Sequence, residues 1–334
     1  MVEIIPSGVF LMSAIAYAAA LGLLSMGLSL TYVTTRVANF AHATIGMLGA
    51  IVMLFLIDRV YYEGASYQLF IVGPLLSFVV AGVFAMIMYL LVMKPLQDKG
   101  NDVIGLMIAT FAIDIILLNI LSFLLNAMTG KHLPKLYGVN IGPWDPTIQC
   151  CGLELKASNF VLPIAAVLLT LIFHLFLTKT KFGVAMRATI ENPNLAAVMG
   201  VNTNLVYTVS WFVSGALAGV AGSLIAFSLK DTSPNSSALI IVSVFAGSIV
   251  GGLTSIYWGL VGGFIVGLAE KLLTSIINAL YNGYFAPALG LPEIAIINYE
   301  KVMSLGLVII VLLFAPQGLA GVDWSKLKQK ILRR

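Results

Sequence analysis

The chain has 334 residues, of which 60% are hydrophobic and only 10% are charged, and its mean hydropathy is +1.02. A soluble domain carries about 25% charged residues, so this composition excludes an ordinary soluble protein and indicates an integral membrane protein. The net charge of +4 is small, and we assign it to cytoplasmic loops and a basic tail rather than to nucleic-acid binding.

Several apolar runs approach or exceed the roughly 20 residues that a helix needs to cross a bilayer. They predict an all-α, polytopic helical bundle with roughly seven to nine crossings, two of them discontinuous, in one transmembrane domain over residues 1–334. The predicted apolar segments are Val9–Leu30, Thr44–Ile57, Gln68–Val92, Val103–Leu125, Asn159–Leu177, Leu205–Phe227, Ala238–Ala269, Leu272–Ala288 and Met303–Ala315.

A polar stretch, Thr31–Ala43, separates the first apolar segment from Thr44–Ile57, which is short for a full crossing. This pattern predicts a broken helix, whose free backbone groups must face protein or a wet cavity and can bind a polar or zwitterionic solute. The residues predicted here for the substrate pathway are Asn39, His42, Gly46 and Gly49. Close helix packing through the glycines, and a local helix cap at Asn39 and His42, are the alternatives.

Asp114 lies near the middle of the span Val103–Leu125. A charge at the centre of a bilayer costs at least about 2.5–3.5 kcal/mol, so Asp114 is expected to be paired, protonated or in a wet cavity. A hydrogen bond between helices and a role in the substrate pathway both satisfy this expectation. The loop that follows, 126–158, is the longest and contains the adjacent Cys150 and Cys151, which are poorly placed to form a disulfide with each other.

The polar stretch 179–204, between two spans, is the most informative part of the chain. Asn192 can cap free backbone N–H groups and Pro193 tolerates the first helical position, so we predict a helix of about two turns over Pro193–Met199, ended by Gly200 in the left-handed conformation. Such a capped helix is a rigid handle on the cytoplasmic side; a solvated loop with one helical turn is the alternative. The basic residues that open the stretch are Lys179, Lys181 and Arg187.

The second predicted break lies in the glycine-rich segment Ala238–Ala269, and its residues Gly251, Gly252 and Ser255 are added to the predicted pathway. Nine crossings result if this segment crosses once and Leu272–Ala288 crosses back; seven result if part of the region is re-entrant. The basic tail, 320–334, is predicted to form an interfacial helix on the anionic cytoplasmic membrane surface.

The distribution of basic residues predicts the orientation. If 179–204 and the tail are cytoplasmic, six of the 18 Lys and Arg residues lie outside and the other twelve, Lys271 among them, lie inside, which puts the N-terminus and the loop 126–158 outside and the C-terminus in the cytoplasm. The six predicted to lie outside are Arg59, Lys131, Lys135, Lys156, Lys230 and Lys301.

The sequence contains no catalytic constellation, no metal-ligand spacing and no phosphate-binding loop of the form G-x-x-x-x-G-K-[ST]. We therefore predict no catalytic residues, metal or cofactor in this chain. If transport needs ATP, another chain must bind it.

Four motifs, in order along the chain, resemble those of the H-type permease of ABC importers of the branched-chain amino acid type. They are Gly27–Tyr32 with Val37–His42 and Gly46–Ala50; the 179–204 stretch; Gly251–Ile256 with Gly259 and Gly262-Gly263; and Pro316–Leu319. Two positions depart from the usual pattern: Ala43 stands in place of a glycine, and Tyr257-Trp258 in place of Pro-Gly. Both lie near the proposed pathway and leave the substrate open.

The resemblance implies an importer in the cell membrane of a prokaryote, with two ATPase subunits that bind ATP and Mg²⁺, a second permease chain of the M type, an extracytoplasmic binding protein and surrounding membrane lipids. It implies uptake of branched-chain amino acids, with urea, short amides or sugars as other substrates of the same role. The residues that it assigns to ATPase coupling are Arg187, Glu191, Asn192, Pro193, Ala196, Ala197 and Gly200. A gradient-driven secondary transporter with Asp114 as coupling residue, and a channel or scaffold, are the competing hypotheses.

Overall fold

The structure is a computed structural model and describes residues 7–61, 66–128, 141–150, 153–229, 232–290 and 292–321. The predicted interfacial tail, from residue 322 onward, lies outside the described residues, as do Cys151 and the middle of the 126–158 loop.

The described residues are overwhelmingly helical, so the prediction of an all-α polytopic bundle is confirmed. The helices are α1 (Gly8–Thr35), α2 (His42–Arg59), α3 (Leu69–Met88), α4 (Lys94–Asp98), α5 (Val103–Met128), α6 (Ser158–Lys179), α7 (Lys181–Glu191), α8 (Pro193–Val198), α9 (Thr203–Ile225), α10 (Ser236–Gly251), α11 (Ile256–Leu280), α12 (Ala286–Leu289) and α13 (Glu300–Phe314). Short π-helical turns, Tyr89–Met93 and Tyr281–Phe285, join α3 to α4 and α11 to α12. The 3₁₀ turns are Gly142–Trp144, Ile296–Tyr299 and Leu319–Gly321.

A small β-hairpin in the 126–158 loop was not predicted. Its strands β1 (Thr147–Cys150) and β2 (Leu153–Lys156) pair antiparallel, with Thr147 opposite Lys156. The hairpin precedes α6, the next membrane helix.

Within the described parts of the chain, eight helices are long and apolar enough to cross a membrane: α1, α2, α3–α4, α5, α6, α9, α11–α12 and the α13 segment. The 16-residue α10 is shorter, at about 24 Å against a hydrocarbon core of about 30 Å.

The glycine-rich region differs from its prediction. Ala238–Ala269 is not one crossing but parts of two helices, α10 and α11, and Leu272–Ala288 is not a separate crossing because it continues α11. The two helices are joined by a tight turn in which Gly252 has a φ of 102°, a conformation that favours glycine. Gly251 lies against the backbone of Gly262, so the glycines allow the two helices to pack closely.

The first break is also shorter than predicted, because α1 continues to Thr35 and α2 begins at His42. Helix α1 is the centre of the bundle: every residue from Ala16 to Thr31 is buried. Helices α2 and α9 are buried beside it, whereas α3, α5, α6 and α13 turn large apolar side chains outward. Outward-facing apolar residues suit a protein whose solvent is lipid.

Candidate functional site

The coupling segment, which we define as α7 and α8, follows α6 directly. Thr180 begins α7 by accepting a 2.9 Å hydrogen bond from the Gly183 backbone N–H, and Met186 and Thr189 are buried on the inner face of this helix. The sequence prediction covers α8 but does not identify α7, because the polar and basic residues of α7 are also typical of a loop. The amphipathic pattern of α7 is the signal that could have shown it.

Helix α8 has the predicted caps. Asn192 Oδ1 accepts a 3.0 Å hydrogen bond from the Leu195 N–H, Pro193 takes the first position, and Gly200 has a φ of 85°. The helix ends at Val198, one residue before the predicted end.

Apolar side chains of α8 and its cap project outward. Leu195, Val198 and Met199 are 59%, 84% and 77% exposed, whereas Ala196 is buried. The other predicted coupling residues, namely Arg187, Glu191, Asn192, Pro193, Ala197 and Gly200, are all exposed. Clustered exposed apolar side chains mark protein interaction surfaces, so this geometry suits docking of a partner. The docking role of the seven residues stays a prediction.

The coupling segment rests on the ends of the central helices. A cavity of about 310 Å³ separates α7 and α8 from the end of α1, and Arg36, Glu191, Pro193 and Tyr207 are among its lining residues. Arg36 ends α1 with a left-handed φ of 59°, which is unusual for a residue with a side chain.

The predicted pathway residues at the first break make contacts within the protein. Asn39 Oδ1 accepts a 3.0 Å hydrogen bond from the Ala41 N–H at the start of α2. The His42 Nε2 lies 2.9 Å from the Leu24 carbonyl oxygen of α1, and the imidazole is fully buried. These are the cap and packing contacts that the sequence left open as an alternative, and a contribution of Asn39 and His42 to substrate passage stays a prediction.

Gly46 and Gly49 lie where α2 crosses α9. A Cβ atom at Gly49 would overlap the backbone of Gly219, and Gly222 of α9 lies equally close to Gly46. The two helices therefore approach at the distance of their backbones.

Asp114 of α5 forms a second polar group with residues that the sequence prediction missed. The Thr44 hydroxyl of α2 lies 2.5 Å from Asp114 Oδ1, to which it donates, and 2.9 Å from Ser237 Oγ of α10. The carboxylate is half-buried. Phe40 lies beside this group, with its ring centroid 6.2 Å from that of Phe111 and its N–H bonded to Thr110 Oγ1.

The structure therefore separates the predicted pathway residues into two groups. Asp114 bonds to Thr44 at the start of α2, and Thr44 bonds to Ser237 at the start of α10. Gly251, Gly252 and Ser255 lie at the other end of α10, about 21 Å away along its axis. The turn that holds them packs instead against the chain beyond α13, where Gly318 touches Gly252. The sequence prediction missed two members of the Asp114 group, Thr44 and Ser237. The signal that could have found them is a hydroxyl side chain on an otherwise apolar helix.

A buried charge cluster was also missed. Glu270 of α11 is fully buried and accepts hydrogen bonds from Tyr17 Oη at 2.9 Å, from the Ser243 and Ser304 hydroxyls, and from Lys301 Nζ at 3.1 Å. These partners join α1, α10, α11 and α13.

Lys271 directly follows Glu270, and its position contradicts one part of the predicted orientation. Its Nζ is 2.7 Å from Glu300, which begins α13. Tyr257, near the start of α11, instead touches His174 beside the coupling segment, about 20 Å from Glu270 along the helix. Lys271 therefore lies close to Lys301 and about 20 Å from the coupling segment, so the prediction that Lys271 lies inside and Lys301 outside is wrong.

Within the described residues, no three His, Cys, Asp or Glu side chains are placed to hold a metal ion.

Comparison with known proteins identifies relatives along nearly the whole chain. Residues 10–312 match a family described as the permease component of the branched-chain amino acid transport system. The chain is 41% identical to the probable branched-chain amino acid transport permease LivH of Methanocaldococcus jannaschii over 323 residues, covering 95% of this chain and 93% of the relative.

More distant relatives extend the pattern. LivH, the high-affinity branched-chain amino acid permease of Escherichia coli K12, is 24% identical over 302 residues, which is 90% of each chain. The galactofuranose transporter permease YtfT of the same organism is 29% identical over 120 residues, only 34% of this chain and 35% of the relative. No solved structure matches.

Proposed function

This chain belongs to the family of permease components of branched-chain amino acid transport systems, and on that premise we propose that it carries branched-chain amino acids through the membrane in an ATP-driven importer. It is a multi-pass membrane permease subunit. The observation that carries the ATP-driven part of the proposal is the coupling segment, where a doubly capped helix presents Leu195, Val198 and Met199 to the outside of the protein.

ATPase subunits, two in the complete assembly, dock on α8 from the cytoplasm and bind the ATP and Mg²⁺. The exposed side chains of α8 enter a pocket on the ATPase, while buried Ala196 holds the helix against the permease. Because Asn192 alone separates α7 from α8, the two helices move together when the ATPases close.

The movement reaches the membrane through α1 and α9. The coupling segment borders the end of α1 at Arg36, and residues 199–202 lead from α8 directly into α9. Helix α9 in turn packs backbone to backbone on α2 through Gly222 and Gly46. Such contacts leave little room for independent motion, so a displacement of α8 is expected to move the buried helices as a unit.

The solute path follows the face formed by the starts of α2 and α10 and by α5. Asp114 supplies a negative charge for the ammonium group of an amino acid, and the exposed ring of Phe111 supplies an apolar surface for its aliphatic side chain. A second permease chain, of the M type, closes this face, and an extracytoplasmic binding protein delivers the solute from the side opposite the coupling segment.

The negative charge of Asp114 favours a cationic or zwitterionic solute. It favours such a solute over urea, amides and sugars, the neutral alternatives for a permease of this kind. A buried or half-buried carboxylate is stabilised by a charged donor more than by a neutral one. The similarity to a galactofuranose permease, confined to about a third of the chain, carries less weight.

The test replaces an exposed valine with glutamate at two places, one on α8 and one beyond the end of α2. Val198→Glu places a charge on the exposed face of α8, and Val60→Glu, at 58% exposure beyond α2, is the matched control. Membranes are solubilised in mild detergent and the tagged permease is purified. We expect an ATPase subunit to accompany the wild type and Val60→Glu, and to be lost from Val198→Glu.

If both variants retain the ATPase equally, α8 is not the docking element. If no ATPase accompanies an intact membrane assembly, and uptake persists with a dissipated ATP pool, a gradient-driven mechanism with Asp114 as coupling residue replaces the proposal.

A further inference from the structure

An apolar groove of about 590 Å³ runs along the outside of the bundle between α1, α6 and α11. Its α6 wall extends from Pro163 to His174, a length of about 16 Å at 1.5 Å per residue. This is about half of the 30 Å thickness of the hydrocarbon core, and hence the depth of one membrane leaflet.

The groove opens toward the membrane. Val167 and Leu171, on its α6 wall, are 71% and 55% exposed, and both belong to a span whose outer surface is apolar. The floor is formed by α1 at small residues, Ala19 and Gly22, which leave the depression. Hydrocarbon is therefore the material that this groove meets in the membrane.

One end of the groove is polar. His174 Nδ1 lies 3.0 Å from Tyr257 Oη, and the imidazole is exposed on the membrane-facing surface. A polar side chain in that position is costly unless it has polar partners. His174 lies just before the end of α6, so this end of the groove is close to the membrane–water boundary on the side of the coupling segment.

Positive charge surrounds the same end. Lys179 and Lys181 are exposed where α6 passes into α7, and α7 carries the exposed Arg187. A groove with apolar walls, a leaflet's depth, hydrogen-bonding groups at its mouth and cations beside them fits a lipid with a negatively charged head group.

We propose that this groove binds one acyl chain of an anionic phospholipid, whose phosphate is held by His174 and Tyr257 and attracted by the basic residues where α6 passes into α7. The proposal does not depend on the solute that the permease carries.

The test uses the membrane assembly purified from native membranes with the subunits that it retains. The assembly is exchanged with phosphatidylglycerol that carries a photoreactive diazirine on its acyl chain, and in parallel with phosphatidylcholine that carries the same group. After irradiation, labelled peptides are mapped by mass spectrometry. We expect labels in 163–174 and 257–264, with more from phosphatidylglycerol than from phosphatidylcholine.

Two substitutions on adjacent residues provide the matched comparison. Val167→Trp fills the groove, whereas Leu168→Trp puts the same ring on a residue that is 54% exposed and lies outside the lining. We expect Val167→Trp to reduce labelling about tenfold, equivalent to about 1.4 kcal/mol of binding free energy, and Leu168→Trp to leave it unchanged.

A third variant tests the head group. His174→Phe keeps an aromatic ring but removes the donor, so the acyl label should remain while the preference for phosphatidylglycerol disappears.

Three results would overturn the proposal. They are labels absent from both groove peptides of the wild type, equal losses in Val167→Trp and Leu168→Trp, and a Val167→Cys variant that cross-links to another membrane subunit. The last result would identify the groove as a subunit interface.

Discussion

At the scale of single residues, Asp114 is the side chain on which the solute preference depends. Its carboxylate already accepts from Thr44, and its half-buried position leaves an oxygen for a second donor. Asp114→Asn keeps the size and the acceptor toward Thr44 but removes the charge.

We expect Asp114→Asn to raise the KM for leucine uptake about tenfold to a hundredfold, because a hydrogen bond to a charged group contributes about 1.5–3 kcal/mol. Uptake of radiolabelled leucine into cells is the measurement. Asn119→Ala is the control on the same helix, because within the part of the chain that the structure describes Asn119 bonds to the Ile115 carbonyl of its own turn and to no other helix. An unchanged KM in Asp114→Asn would remove this residue from the pathway.

Glycines of the bundle differ sharply in what surrounds them. Gly49→Ala would force Cβ into the backbone of Gly219, whereas at Gly306 no atom of the described residues outside its own helical turn lies within 4 Å of the Cβ position. We expect Gly49→Ala to destabilise the protein by about 1–3 kcal/mol through overpacking. Gly306→Ala should be neutral or stabilising by up to about 1 kcal/mol through helix propensity.

Thermal unfolding midpoints of the two purified variants in detergent check this pair. Equal midpoints would show that α2 and α9 can move apart without a loss of thermal stability.

At the scale of elements, the Glu270 cluster holds α1, α10, α11 and α13 together. Glu270→Leu would leave the Lys301 ammonium, which is 18% exposed, without its buried partner. Removing one member of a buried pair destabilises by about 3–5 kcal/mol, while replacing both by apolar residues is often neutral.

We therefore expect Glu270→Leu to lower the denaturant midpoint strongly and Glu270→Leu with Lys301→Met to recover most of the loss. Glu300→Gln breaks the partly exposed pair with Lys271 and a longer 3.9 Å contact with Lys301, and it should cost only about 0–1 kcal/mol. A double variant as unstable as Glu270→Leu would show that the hydroxyl partners, rather than the ion pair, hold the cluster.

The elements also show which signals a sequence carries. Helix α8 was predicted to within one residue because its caps, Asn192 and Gly200, act within one turn. The long helix α11 was divided wrongly because the polar pair Glu270-Lys271 looks like a membrane boundary. The burial of the Glu270 side chain depends on its bonds to Tyr17 and Lys301. Tyr17 lies more than 200 residues before Glu270 and Lys301 about 30 residues after it, so no local pattern reveals them.

At the scale of the whole molecule, composition is sufficient to predict a helical membrane bundle, and four ordered motifs indicate the same family that matches residues 10–312. The grouping of the predicted pathway residues cannot be obtained in the same way. Thr44 of α2 joins Asp114 of α5 to Ser237 of α10, whereas Gly251 and Gly252, which also interrupt an apolar segment, lie at the far end of α10.

The burial of residues 16–31 of α1 has a consequence for the order of events in the cell. Helix α1 is synthesised long before α11, yet its small residues Ala18 and Gly22 pack against Gly267 and Leu260 of α11, which emerge more than 200 residues later. At roughly 5–20 residues per second, this face of α1 spends on the order of 10–50 s without its final partner, although α2 and α9 have already been made. A chain that stops before α11 therefore leaves this face of its central helix uncovered.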